Sequence, residues 1–352
     1  MAPPAELAAT YAPIIVLHGE DKLRPSSADW FLDRSDLRWA TGRSLAGVGV
    51  RDGTDVEPAR LGAASSEPYT HEGHVASGLT RPLDDHRARP AGLPLEQGFF
   101  LRLENESFAR GEAADAFPTV YWDHDDAGAS LTYWLFYPAS SPPLGILRAG
   151  EQLGTEGPPT EAVPEELEAA DAAAKLEEFH RTYPGLAAEA EPSEELPGFG
   201  DVIVRLRVVA EGVRALLRDD DVLHEGDWER VTVYLDQADP EGADPAAVAF
   251  YRHSTNTFLN WDRVEKEGTH PVGFSAVGSH ATLPTPDFGF IDVGDRRGPR
   301  WQTAKDLASV REQPWYGFGG AWGRVGKVRD STGPLGPGAH WKHPAPRPAA
   351  PA

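Results

Sequence analysis

The densest group of chemistry-bearing side chains is His224-Glu225-Gly226-Asp227-Trp228-Glu229, which runs straight into the alternating segment Arg230-Val-Thr-Val-Tyr-Leu235. A strand that begins at Asp227 puts Asp227 and Glu229 on one face, because successive side chains point to opposite sides. Two carboxylates on one face, beside an imidazole from the preceding turn, form a cage for one hard divalent cation. Mostly oxygen ligands favour Mg²⁺, Ca²⁺ or Mn²⁺, whereas zinc wants more nitrogen or sulfur. Asp221, the last of the triplet Asp219-Asp220-Asp221, is a candidate fourth ligand. The same residues also suit a plain strand start, in which the carboxylates meet Arg230 or backbone N–H groups and His224 is a turn residue.

Two more histidines follow strand-like runs: His253 after Ala247–Tyr251, and His280 after Val272–Val277. Neighbouring strands bring their ends together, so His224, His253 and His280 are candidates for one rim. The alternative for each is a hydrogen-bonded corner. Ser279 beside His280 makes no triad, because adjacent strand residues point apart, and no Gly-x-Ser-x-Gly elbow is present. His71-Glu-Gly-His74 has two imidazoles with no further ligand in view and is expected to be a surface loop. Asp123-His-Asp-Asp-Ala-Gly128 opens like a calcium loop, but Ala127 and Trp134 stand where oxygen ligands belong, which leaves a hairpin turn. Gly317-Phe-Gly-Gly-Ala-Trp-Gly323 has no strand-to-helix context and is not a phosphate loop.

The elements that must position these groups are mainly strands. Ile14–Leu17, Thr119–Trp122, Ser130–Tyr137, Glu229–Leu235, Ala247–Tyr251 and Val272–Val277 all have strand character. Ser130–Tyr137 is apolar on both faces, so it belongs in the centre of a sandwich. In Glu229–Leu235, Val231, Val233 and Leu235 point inward. With 36 glycines and 32 prolines, turns are dense and long helices few. The expected fold is a mainly β, antiparallel, jelly-roll-like sandwich over residues 1–343, with an acidic helical insertion at about 151–200 and a Pro/Ala tail at 344–352. Pro164 to Phe179 has the composition of a helix, with proline at its start and carboxylates in its first turn. Val202–Leu217 suits strand or helix.

The charge excludes some partners. There are 33 Lys and Arg against 55 Asp and Glu, a formal charge of −22. A nucleic-acid binder needs a basic face, and so does docking on anionic lipid. Half of the charge, −11, falls within residues 151–200. No cysteine is present, which removes thiolate metal sites, Fe–S clusters and Cys nucleophiles. The first residues lack a basic and an apolar signal region, and no run approaches the roughly 18 apolar residues of a membrane-spanning helix. A cytoplasmic location, or export by a route without a Sec-type signal, is therefore expected.

Several blocks in order resemble the vacuolar protein sorting-associated protein 62 family. They are Tyr11-Ala-Pro13, Pro25-Ser-Ser-Ala-Asp-Trp-Phe-Leu32, Tyr133-Trp-Leu-Phe-Tyr-Pro138, His224-x-Gly-Asp-Trp-Glu229 and His253-Ser254. Gly278-Ser-His-Ala281, Trp322-Gly323 and the Gly333-Pro…Gly336-Pro segment before Trp341 complete the series. The acidic stretch then looks like an insertion between blocks. A weaker resemblance is to the necrosis-inducing cytolysins, with the signature Gly-His-Arg-His-Asp-Trp-Glu. There the first His, the Asp and the Glu hold a divalent cation on a β-sandwich that binds sphingolipid head groups. The resemblance implies those roles for His224, Asp227 and Glu229. This chain has Glu225-Gly226 in place of Arg-His, and it lacks the cysteines and secretory signal common in that group.

The leading expectation is thus a non-catalytic, divalent-cation-dependent binding protein, whose ligand is a glycan or lipid head group. The competing expectations are a metal-assisted hydrolase or acid/base catalyst using Asp227, Glu229 and His280, and a trafficking or effector protein docking through its acidic insertion.

Overall fold

The computed structural model describes residues 4–44, 47–77, 98–103, 118–125, 130–140, 224–236, 245–252, 255–286, 296–326 and 332–338. The acidic stretch 151–200, Val202–Leu217, the tail 344–352, and the candidate residues Asp221 and His253 lie outside them.

In chain order, α1 (Pro4–Tyr11) and β1 (Ile14–Val16) precede α2 (Ala28–Leu32), β2 (Ser35–Ser44), β3 (Gly47–Asp55) and α3 (Pro58–Leu61). A small hairpin, β4 (Thr70–His71) and β5 (His74–Val75), comes before β6 (Gly98–Leu103), β7 (Val120–His124) and β8 (Ser130–Ser140). Then follow β9 (His224–Leu235), β10 (Pro245–Arg252), β11 (Thr255–Asn260), β12 (Lys266–Glu267), β13 (His270–Ser275) and β14 (Thr282–Leu283). The last strands are β15 (Arg300–Gln302) and β16 (Leu307–Ser309). The chain is mainly β, as its dense turns and alternating runs require.

A six-stranded sheet, ordered β11-β10-β9-β8-β7-β16, forms the central layer. On one face Trp134, Phe136 and Trp228 join Leu37, Trp39, Phe99, Leu101 and Leu103 of the β3-β2-β6 sheet in one apolar core. On the other, Tyr133, Leu135, Tyr137, Val231, Val233 and Leu235 pack with Ile15, Leu17 and Trp301, which come from or adjoin the β12-β13-β1-β15 sheet. β8 is buried along its whole length, so its two apolar faces serve two cores. Two pairings depart from the antiparallel expectation: β1 runs parallel to β13 and β16 runs parallel to β7. In both, segments remote in sequence close a sheet, which short hairpins cannot do.

The Pro25–Leu32 block has a direct structural role. Ser27 caps α2, its Oγ accepting from Trp30 N at 3.1 Å, while Phe31 and Leu32 enter the first core. Within that core Trp228 lies 4.7 Å from Phe136 and 5.2 Å from Trp322, ring to ring. A buried large apolar side chain contributes about 1.5–3 kcal/mol through area alone, before such ring–ring contacts are added.

Three interior tyrosines make the fold sensitive to alkali. Burial pushes the phenols of Tyr121, Tyr133 and Tyr137 well above their ordinary value, with Asp29 adding to the effect at Tyr121. Their stabilising contribution is complete below the unfolded value of 10.0 and is lost as pH climbs from there toward the raised folded values. Each withdraws about 1.4 kcal/mol per pH unit in that window. Arg230 works in the opposite direction, because burial lowers it to about 10 from 12.5. In that range the folded state binds fewer protons at Arg230, and stability gains as pH rises. Burial raises Tyr234 and Tyr69 as well, so the net expectation is a steep loss of stability as pH climbs above 10. Urea midpoints between pH 9 and 11.5, read with tyrosinate absorbance, check it; a flat profile contradicts it.

Candidate functional site

β8 and β9 pair antiparallel with Tyr137 opposite Asp227, Leu135 opposite Glu229 and Ser140 opposite His224. The ladder skips the Pro138–Gly226 position. Proline has no N–H to give, and Gly226 sits at a left-handed φ of +65°. A side chain at 226 would also collide with the Trp322 backbone, its Cβ 1.7 Å from the carbonyl oxygen. Glycine is thus required twice over, by dihedral and by close approach.

The break at Gly226 changes which way the chain faces. Glu225 turns toward β6: its carboxylate accepts from Leu103 N at 3.2 Å and Arg324 N at 3.3 Å and pairs with Arg102. Trp228 enters the core on that same side. Asp227 and Glu229 face the opposite layer. Ser140, across from His224, donates from Oγ to Gly278 O at 3.3 Å, and cross-strand partners share a face. His224 therefore lies on the same side as Asp227 and Glu229, and it belongs to the strand rather than to a preceding turn. Its Nδ1 donates to the Gly226 carbonyl at 2.7 Å, holding the imidazole beside its own backbone.

A shared face is not a shared ion. At about 3.3 Å per residue, His224 and Glu229 are some 16 Å apart along the strand. Among the described residues, no three His, Asp or Glu side chains are placed to hold a metal ion as they stand.

The closest constellation is instead built around His280. Its Nδ1 donates to Asp227 Oδ2 at 2.9 Å, and its Nε2 lies 3.6 Å from Asp21 Oδ2. The ring stacks on Tyr137 at 3.9 Å with a 4° tilt. His280 is fully buried, and its Nε2 makes no hydrogen bond. The turn that presents it is unusual: Gly278 has φ +66° and His280 itself φ +57°. A non-glycine residue in the left-handed region costs on the order of 1 kcal/mol and persists only when its surroundings enforce it. Here those are the His280 N to Ala276 O bond at 3.0 Å and the carboxylate contacts.

Asp21 binds the same turn from a third segment. Its Oδ2 accepts from Gly278 N at 2.7 Å and its Oδ1 from Leu23 N at 2.9 Å. Asp21, Asp227 and Glu229 are all buried, and all three negative charges, after burial itself, help raise the Tyr137 phenol. Three carboxylates thus act on one tyrosine, and two of them, Asp21 and Asp227, flank the His280 imidazole.

Of the residues singled out from sequence, Asp227 and His280 are brought into direct contact, Glu229 lies on the same face, and His224 lies on that face three positions from Asp227. Asp21 and Tyr137 were missed. Asp21 sits in an ordinary polar loop, Gly19-Glu20-Asp21-Lys22, with no spacing to mark it. Tyr137 looked like core, which it also is. His71 and His74 lie in the β4–β5 hairpin rather than in an open loop. Of Asp123–Gly128, Asp123 and His124 are paired residues of β7 against β8, and 126–128 lie outside the described residues.

Comparison of the chain with protein-family models, with curated proteins and with solved structures finds no match. Among the described residues, no helix is long and apolar enough to cross a membrane.

Proposed function

We propose that the chain is a divalent-cation-dependent binding protein, with its site at the Asp21, Asp227, Glu229 and His280 rim of the central sheet. The observation that carries this reading is the convergence of two buried carboxylates, Asp21 and Asp227, on a single imidazole, with buried Glu229 on the same face of β9. Buried carboxylates cost several kcal/mol each unless opposite charge or hydrogen bonds answer them, and a hard cation supplies that charge. Asp227 must leave His280 to coordinate, so binding rearranges the turn at 277–280. That turn lies beside Tyr137, in a position to couple cation uptake to a ligand at the rim. The resemblance to the vacuolar protein sorting-associated protein 62 family supports the reading, and Asp227 and Glu229 of the His-x-x-Asp-Trp-Glu spacing belong to this site while His224 does not. A glycan or lipid head group is the ligand class they suggest.

Titration calorimetry of Ca²⁺, Mg²⁺ and Mn²⁺ into chelator-treated full chain tests it. Saturable heat with at least one ion is expected, with stabilisation of about 2.7 kcal/mol at a hundredfold excess over Kd. Glu229→Gln and Asp227→Asn should each abolish the heat. No heat with any of the three ions overturns the proposal.

One observation favours a second reading. An imidazole oriented by a carboxylate through Nδ1, with Nε2 free of hydrogen bonds, is the arrangement of a general base. On this reading the chain is an acid/base or metal-assisted hydrolase using Asp227, Glu229 and His280. Retention of full turnover by a folded Asp227→Ala variant, on any substrate found, removes it.

A further inference from the structure

The tip of the β4–β5 hairpin carries a second group of ligand-type side chains, in a different sheet from the rim and independent of it. His71 and His74 are directly opposite each other, flanking the two-residue turn Glu72-Gly73. Both turn residues are left-handed, at φ +49° and +81°, the pattern of a tight hairpin turn whose twist matches its strands. Side chains opposite each other across such a pair share a face, with Cβ atoms about 5 Å apart. Trp39 of β2 confirms the shared face: its ring lies 4.5 Å from the His71 ring and 5.3 Å from that of His74. Trp39 is itself buried and held edge-on by Phe99 at 4.9 Å, so both imidazoles rest on a rigid floor.

The surroundings are nearly neutral. Glu72 lies 3.6 Å from His71 Nε2 and is paired with Arg51 at 3.0 Å. The His71 Nε2 atom is buried and makes no hydrogen bond, and its neighbour is the half-exposed Glu72 carboxylate. His74 is exposed, so the tip is open to solvent. Two imidazoles held on one face, at a spacing that one ion can bridge, suit late first-row divalent ions. Such sites prefer copper, then nickel and zinc, and have little use for Mg²⁺ or Ca²⁺.

We infer that the β4–β5 hairpin is a two-imidazole site for a late transition-metal ion, Cu²⁺ above Zn²⁺, with His71 and His74 as its protein ligands and water completing the coordination. The ordered floor under both rings lowers the entropy lost when the ion fixes them. The hydrophobic alternative, in which both rings simply cover Trp39, predicts the same packing but no ion.

Copper and zinc titrations of the full chain decide between these. Calorimetry follows both ions, and paramagnetic resonance counts the nitrogens on bound Cu²⁺. To keep other cation sites apart, the wild type is compared with His71→Phe and His74→Phe, each of which keeps an aromatic ring over Trp39 and removes one donor. One equivalent of Cu²⁺ with a two-nitrogen signature is expected. Either substitution should weaken that equivalent by about tenfold or more, because the remaining imidazole no longer acts as one arm of a chelate. Asp227→Asn should leave it unchanged. A strong copper equivalent that persists in both phenylalanine variants, or no two-nitrogen signature in the wild type, overturns the inference.

Discussion

Gly226→Ala is expected to cost on the order of 3 kcal/mol, a large share of a typical domain's stability. Two penalties combine. A non-glycine residue at φ +65° loses roughly 1–2 kcal/mol. The added Cβ would stand 1.7 Å from Trp322 O and 2.8 Å from Trp322 C, and backbone cannot step aside as a flexible side chain can. The approach is mutual, since a Cβ at Gly323 would stand 2.0 Å from Glu225 O. Either β9 or the Trp322 segment must shift, and overpacking of this kind costs about 1–3 kcal/mol. Gly268→Ala separates the two effects: its φ is +61°, and nothing lies within 4 Å of the new Cβ. Urea unfolding should show Gly268→Ala losing about 1 kcal/mol and Gly226→Ala losing clearly more. Equal losses would mean that the contact with Trp322 contributes nothing. The test matters for the site, because the break at Gly226 puts His224 on the face of Asp227 and Glu229.

The second large effect concerns the contact between Asp227 and His280. Removing one member of a buried hydrogen-bonded pair costs about 3–5 kcal/mol, chiefly because the other is left buried without its partner. Asp227→Ala is expected to fall in that range. His280→Asn tolerates the left-handed backbone yet is too short to span the 2.9 Å contact, so it should lose a similar amount. The double variant should be less damaged than the sum of the two, with a coupling of about 1–3 kcal/mol. Urea midpoints of the four proteins measure it, and additivity within about 0.5 kcal/mol would mean that the contact does not hold the turn to β9. A strong coupling also sets the scale that a cation must overcome to draw Asp227 away from His280. Asp227→Asn is the better variant for calorimetry, because it keeps the shape and loses the charge.

Much of the fold was legible because its signals are local. The alternation of Val231, Val233 and Leu235, and the two apolar faces of Ser130–Tyr137, follow from period-two geometry and survive in β9 and β8. The pairing of Asp227 with Glu229 on one face was legible for the same reason. His224 was harder, since simple alternation places it opposite Asp227. Only the left-handed Gly226, with Pro138 across from it, restores it to that side.

What the sequence by itself determined was the class of the molecule and the candidate chemistry. A chain without cysteine, rich in turns and acidic, is mainly β, and any cation it holds must be met by oxygen and imidazole. The tertiary structure alone decided which acids meet which imidazole. Asp21 and Tyr137 reach His280 across 259 and 143 positions of sequence, through a parallel β1–β13 pairing and an antiparallel β8–β9 pairing that no local pattern encodes. Contacts of that range depend on loop closure and layer packing, so the site forms only when the sheets have assembled around it.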